Sequence, residues 1–137
     1  MTDLGYVLGL YLHLAHASRR RGRPHVADRL LVLAAATAAT MGLDPLAAYC
    51  RELVLKHNPH HMIRRWPVVR DALENKDFQS LLKQLERRYS LERSEQLLAA
   101  LEIELGRERA AYYSDYEYAA ALLGTTVEQL DRQFESE

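Results

Sequence analysis

Two long stretches without a charged side chain, residues 4–18 and 30–43, constrain the fold of this chain more than any other feature. Both are shorter than the roughly 18 residues that a membrane-spanning helix needs, so we expect both to be buried in a water-soluble fold. Apolar residues of the first stretch cover more than one narrow helical face. The alanines of the second allow a neighbouring helix to approach closely. We therefore predict an antiparallel pair of helices, and the first of them must be central in the core or covered by a partner chain.

Glycine, proline and capping residues divide the rest of the chain into further helices. Asp44 before Pro45 is typical of an N-cap, and Asp77 and Ser90 are predicted to cap two later helices, the second of which should end at Gly106. The pairs Ser114 with Glu117 and Thr126 with Gln129 have the spacing of capping boxes. No alternating strand pattern occurs. The predicted fold class is all-α, a compact multi-helix bundle in which two long apolar N-terminal helices pack with several shorter C-terminal helices.

The chain has 137 residues, the size of one ordinary domain, so we predict a single helical domain over residues 1–137. Its net charge of −1 conceals two halves of opposite sign. Residues 1–70 carry ten Lys or Arg, four Asp or Glu and all six histidines, whereas residues 71–137 carry eight Lys or Arg and fifteen Asp or Glu. Such halves attract each other within one fold or between copies, although differently solvated faces explain the asymmetry as well.

Cys50 is the only cysteine, so no disulfide forms within the chain and a reducing compartment is expected. The apolar N-terminus has no basic leader of the secretory type. A cytoplasmic location is therefore predicted.

A histidine-rich segment, residues 57–61, suggests metal binding. His57, His60 and His61 lie close together in sequence, and Cys50 comes two helical turns before His57. The spacing matches no recognised ligand pattern, because Asn58 and Pro59 break the helix between the first two histidines. We therefore name these four residues as metal-ligand candidates but favour a structural role for them, and we expect no cofactor.

Residues 119–130 resemble the turn of helix-turn-helix proteins, in which small residues, a glycine and a capping Ser or Thr let two helices cross. The helix that would read DNA carries four acidic residues against the single Arg132, facing a polyanion. Nucleic acid is therefore not an expected partner, and a structural helical hairpin is the better interpretation.

Basic and aromatic clusters indicate candidate surfaces for a protein partner. Tyrosine offers a large rigid contact area with a polar tip and is enriched at binding hot spots. We therefore name Trp66, Arg64, Arg65, Tyr112, Tyr113 and Tyr116 as partner-binding candidates. Tyrosines that fill gaps between short helices are an equally good explanation. Four further arginines, at positions 19, 20, 21 and 23, suit an acidic partner, but a solvated turn accounts for them without one.

Catalysis has little support in the sequence, which lacks a glycine-rich phosphate loop and a nucleophile elbow. We accordingly expect a non-catalytic helical module for protein–protein interaction, with an unknown protein partner or further copies of itself as a homo-oligomer, and no membrane. The alternative is a helical domain that binds a metal ion or small ligand through residues 57–61. A degenerate helix-turn-helix protein ranks third.

Overall fold

The computed structural model describes residues 2–134, which form nine α-helices, one 3₁₀ turn and no strand. This confirms the predicted all-α fold class. The three longest helices in the first half are α1 (Leu4–Arg20), α2 (Pro24–Thr40) and α3 (Asp44–His57). Each is joined to the next by a turn of three residues, which makes consecutive helices antiparallel neighbours.

Helix α2 lies at the centre of the molecule. Eleven of its seventeen residues are buried, most of them alanine and leucine, and it packs along both α1 and α3. The alanines permit this double contact because their short side chains let two backbones approach from different sides. At the α2–α3 turn, Gly42 has a φ of 80°, a left-handed conformation that costs glycine little and other residues more.

The remaining helices are short and cover the outside of the first three. Helix α1 contacts α6, α7 and α8; α2 contacts α4 and α5; and α3 contacts α4, α8 and α9. The apolar surface of α1 and α2 is therefore covered by the same chain, without need of a second copy. The bounds of the short elements are a 3₁₀ turn at Met62–Arg65, then α4 (Val69–Ala72), α5 (Lys76–Arg88), α6 (Leu91–Ala100), α7 (Leu105–Ala110), α8 (Asp115–Leu122) and α9 (Val127–Phe134).

Three predicted caps are confirmed by hydrogen bonds from backbone N–H groups to side-chain oxygens. Ser90 Oγ accepts from Arg93 N at 3.2 Å. Ser114 Oγ accepts from Glu117 N at 3.1 Å, and Thr126 Oγ1 accepts from Gln129 N at 3.2 Å. These short polar side chains satisfy N–H groups that the first turn of a helix leaves without a partner.

Three boundary predictions were wrong. Asp44 is the first residue of α3 and not its cap, and its carboxylate pairs with Arg70 at 3.0 Å. Asn75, not Asp77, caps α5, because its Oδ1 accepts from the N–H of Asp77 at 2.9 Å. The helix expected to run to Gly106 ends at Ala100, and Gly106 lies inside α7.

Within residues 2–134 no helix is both long and apolar enough to cross a bilayer.

Candidate functional site

A cluster of metal-ligating side chains lies where α2 begins and α3 ends. His25 and Asp28 are three residues apart and share one face of α2, while His57 is the last residue of α3. One ligand atom from each of the three lies within 4.8 Å of the other two. We call His25, Asp28 and His57 the histidine–aspartate cluster. In residues 2–134 no other group of three or more His, Cys, Asp or Glu side chains meets this distance.

Asp28 is the buried member of this cluster, with only 4% of its surface exposed. His57 Nδ1 lies 2.5 Å from Asp28 Oδ2, and the rings of His25 and His57 meet edge to face with centroids 5.3 Å apart. Asp28 Oδ1 is also buried but has no hydrogen-bond partner among the described residues. A buried carboxylate is stable only when it is paired, so its second oxygen leaves part of the cost of burial uncompensated.

The other predicted ligands lie outside the histidine–aspartate cluster. Nδ1 of His61 accepts a hydrogen bond from Ile63 N at 3.0 Å, and burial lowers the pKa of His61, with Asp28 acting in the opposite direction. His60 is exposed in the loop after α3. Cys50 is completely buried in the core, and burial raises the pKa of its thiol to about 12, which suits an unreactive structural side chain.

An apolar groove of about 290 Å³ lies where the turn between α1 and α2 meets α5 and α6. Four exposed arginines surround it, Arg21, Arg23, Arg88 and Arg93. None of the four guanidinium groups makes an ion pair or a hydrogen bond with residues 2–134. We call this the arginine groove. Its remaining lining is mainly apolar: Leu14, Ala17, Ser18, Val26, Leu30, Tyr89, Leu97, Ala100 and Leu101.

The predicted contact residues around Trp66 are largely engaged within the fold. Trp66 is 9% exposed, and its ring meets Phe78 edge to face at 5.2 Å. The Arg65 guanidinium lies 4.8 Å from the centre of the Trp66 ring and pairs with Asp77 at 3.0 Å. Arg64 is exposed. The indole thus packs in the core, and of these three residues only the two arginines lie on the surface.

The predicted tyrosines divide between interior and surface. Tyr113 is 100% exposed and Tyr112 is 37% exposed, with the Tyr112 ring 5.2 Å from that of Tyr118. The hydroxyl of Tyr116 donates to Asp131 Oδ1 at 2.6 Å and links α8 to α9. The structure therefore leaves Tyr112 and Tyr113 accessible to a partner, while Tyr116 joins two helices.

One further histidine, His13, is engaged within the fold through its Nε2 atom. Nε2 of His13 lies 2.6 Å from the hydroxyl of Tyr118 and 3.1 Å from Glu108 Oε2. Burial lowers the pKa of His13, and the neighbouring Glu108 opposes this shift more weakly. Burial likewise raises the pKa of Tyr118. These contacts tie α1 to α7 and α8.

No protein-family model, no curated protein and no solved structure matches this chain. Only the residues and their geometry therefore bear on what the protein does.

Two members of the histidine–aspartate cluster, His25 and Asp28, were missed by the sequence-based interpretation. The available signal was their spacing, since residues i and i+3 of a helix share a face. Arg88 and Arg93 of the arginine groove were also missed. Nothing local distinguishes them from other solvated arginines, and only the packing of α5 and α6 brings them beside Arg21 and Arg23.

Proposed function

We propose that the protein is a non-catalytic interaction module that binds an acidic amphipathic helix of a partner protein in the arginine groove. The observation that carries this proposal is the combination of an apolar floor with four arginines that have no acidic partner within residues 2–134. A helix with one apolar stripe and flanking Asp or Glu residues complements both properties. Such helices dock through apolar residues at positions i, i+3, i+4 and i+7.

The size of the groove favours side chains of a docked helix over a whole small molecule. Binding cavities for drug-sized ligands are about 300–1,000 Å³ and enclose most of the ligand. At about 290 Å³ the groove is at the lower end of that range. Leu97 of α6 is 40% exposed there, so apolar contact area is available to an incoming helix.

The lining of the groove supports binding and not catalysis. It contains no Asp, Glu, His or Cys among the described residues, so the hydroxyl groups of Ser18 and Tyr89 have no general base of the usual kinds in the lining to activate them. Arginine remains protonated at any physiological pH. Four such groups provide charge complementarity, which contributes most to specificity and association rate.

A nucleic acid would contact the arginines but would gain little affinity from the apolar floor of the groove. Phosphate contacts dominate nucleic-acid affinity, and the aliphatic side chains of the floor add no phosphate contact. The prediction against a nucleic-acid partner therefore stays in place, and oligonucleotide binding becomes one outcome of the test below. The predicted homo-oligomer also stays a prediction.

The proposal is tested with a synthetic helical peptide that has leucines at i, i+3, i+4 and i+7 and glutamates beside them. We expect wild-type protein to bind this peptide with an affinity that falls as salt is raised. Chemical-shift changes in the protein should concentrate at methyl groups of Val26 and Leu97. A peptide of the same pattern with lysine in place of glutamate should bind much more weakly.

Two neighbouring arginines of α5 form a matched pair of variants. Arg88→Glu reverses a charge at the groove and should weaken peptide binding about tenfold, equivalent to about 1.4 kcal/mol. Arg87→Glu makes the same change on the same helix at an exposed position that does not line the groove, and should have little effect. Equal weakening by both variants, or tighter binding of a short single-stranded oligonucleotide than of the peptide, would contradict the proposal.

A further inference from the structure

We propose that the histidine–aspartate cluster is a binding site for a divalent transition-metal ion of the zinc class. His25, Asp28 and His57 would be its three protein ligands. This site lies apart from the lining of the arginine groove and is independent of the function proposed above.

The donor set has the chemistry of such a site. Imidazole nitrogens with a carboxylate oxygen bind zinc, and the same donors suit cobalt, nickel and copper. A cluster of polar side chains would also form for structural reasons alone, and the contact between His57 and Asp28 does tie α3 to α2. The metal proposal therefore needs an observation that this ion pair leaves unexplained.

The unpaired oxygen of Asp28 is that observation. Asp28 is only 4% exposed, and its Oδ1 has no hydrogen-bond partner among residues 2–134, although Oδ2 is engaged by His57. Native structures rarely leave a buried carboxylate oxygen without a partner. A cation held between the three side chains would compensate the carboxylate charge and give this buried group the coordination that His57 alone does not supply.

His25 supplies the third donor. Its ring meets the edge of the His57 ring, and its imidazole makes no hydrogen bond and no ion pair within the described part of the chain. Its nitrogens are therefore available to bind an ion without breaking an existing contact. Its position three residues before Asp28 directs both side chains to one face of α2, as a metal site on a helix requires.

The distances are compatible with coordination after a small adjustment. Zinc–ligand bonds of about 2.0–2.2 Å place the donors of a tetrahedral site roughly 3.3 Å apart. Donor atoms of the cluster already lie within 4.8 Å of one another. His25 is exposed in the first turn of α2, and His57 is at the end of α3, so both rings can rotate toward the ion without disturbing the core.

A site with three protein ligands keeps a coordination position open. Structural zinc sites are closed by four protein ligands, whereas sites with three hold a water molecule or an exchangeable ligand in the fourth position. His25 and His57 are both exposed, so an exchangeable ligand could reach the ion from solvent. His61 does not belong to the group within 4.8 Å, and its Nδ1 is already used by the Ile63 N–H group.

The test compares two single-histidine variants of the full chain, prepared free of metal with a chelator. Wild-type protein should bind one Zn²⁺ per chain in calorimetry, and Co²⁺ should give the ligand-field absorption of a nitrogen- and oxygen-coordinated ion. His25→Ala should weaken Zn²⁺ binding by at least about 100-fold, which is the upper end of the loss for a mere outer-shell partner. His60→Ala removes an exposed histidine outside the cluster and should leave the affinity unchanged.

Folding is checked separately in chelator. His25→Ala should melt at the wild-type temperature there, because no hydrogen bond is lost, but it should lose the rise in melting temperature that Zn²⁺ produces in wild-type protein. Asp28→Asn, which keeps the shape of the side chain, should also lose Zn²⁺ binding. The proposal is overturned if wild-type protein binds less than one ion, if both histidine variants weaken binding equally, or if Asp28→Asn binds Zn²⁺ as tightly as wild type.

Discussion

Arg109 makes the most extensive set of ion-pair contacts within residues 2–134. Its Nε lies 2.7 Å from Asp115 Oδ1 and its Nη1 lies 2.7 Å from Asp3 Oδ2, so one guanidinium joins the start of α1 to the start of α8. Paired hydrogen bonds of this kind are the strong ones among ion pairs. The guanidinium holds the pKa of Asp3 below its usual value, and the two carboxylates raise that of Arg109.

Gly5 is adjacent to this ion-pair cluster, and its lack of a side chain permits the close approach. A methyl group there would overlap the Asp115 carboxylate and crowd the Arg109 guanidinium. We predict that Gly5→Ala lowers the free energy of unfolding by about 1–3 kcal/mol, the usual cost of inserting a methyl group into a packed site. Urea denaturation followed by circular dichroism measures this change.

Gly106→Ala is the matched control for that variant. Gly106 lies within α7, and a methyl group there meets no atom within 4 Å. The same substitution should therefore raise the free energy of unfolding by about 0.5–1 kcal/mol, because alanine favours a helix over glycine. If the Gly5→Ala variant were as stable as Gly106→Ala, the prediction would be wrong, because a methyl group beside Asp115 would then not lower the free energy of unfolding.

The break between α6 and α7 is the element boundary that the apolar pattern failed to predict. Leucines at 98, 101 and 105 have helical spacing, yet the chain turns after Ala100 and Glu102 has a φ of 59°. This left-handed conformation is unfavourable for a residue with a Cβ atom. Both α6 and α7 pack against α1, and Leu105 of α7 is buried in the core, so burial of this residue accompanies the turn.

We predict that Glu102→Gly raises the free energy of unfolding by up to about 1 kcal/mol. The variant relieves the left-handed strain, and the greater entropy of glycine in the unfolded chain offsets part of the gain. Glu104→Gly, two residues later, changes an exposed residue with ordinary negative φ and should give no gain. Thermal unfolding of both variants tests the prediction, and a loss of stability in Glu102→Gly would contradict it.

The stability of the whole molecule should depend on pH through two partly buried histidines, His13 and His61. Burial lowers the pKa of both His13 and His61 from the ordinary value of 6.5. As the pH falls below 6.5, the unfolded chain therefore takes up protons before the folded one does. Stability that is complete above that pH is lost progressively below it, by at most about 1.4 kcal/mol per pH unit for each histidine.

We predict that the midpoint of urea unfolding is lower at pH 5.5 than at pH 7.5 in a buffer that contains chelator. His13→Gln should reduce the difference between the two midpoints, because one of the two titrating groups is removed. His60→Gln, at an exposed position, is the matched control and should keep the wild-type difference. A midpoint that rises on acidification would contradict the prediction, because histidines whose pKa is lowered by burial can only reduce stability as the pH falls.

Most helices could be predicted from the sequence alone, because apolar spacing and capping depend on residues only a few positions apart. Apolar spacing identified α1 and α2, and Ser90, Ser114 and Thr126 cap helices as their side-chain chemistry requires. Local patterns were less accurate for Asp77, because α5 begins earlier, at Lys76, and Asn75 Oδ1 accepts from the N–H groups of Asp77 and Phe78. They also failed at Glu102, where packing against α1 outweighs the helical preference of the leucines.

Tertiary packing alone decided which side chains meet. The antiparallel pairing of α2 and α3 brings the end of α3 back to the start of α2, so His57 lies beside Asp28 and not beside Cys50 or His60. Likewise, the position of α5 and α6 against the α1–α2 turn places Arg88 and Arg93 beside Arg21 and Arg23. Helix formation depends on neighbours three or four positions away, whereas both candidate sites join residues about 30 or more positions apart, whose proximity depends on how the buried faces of entire helices fit together.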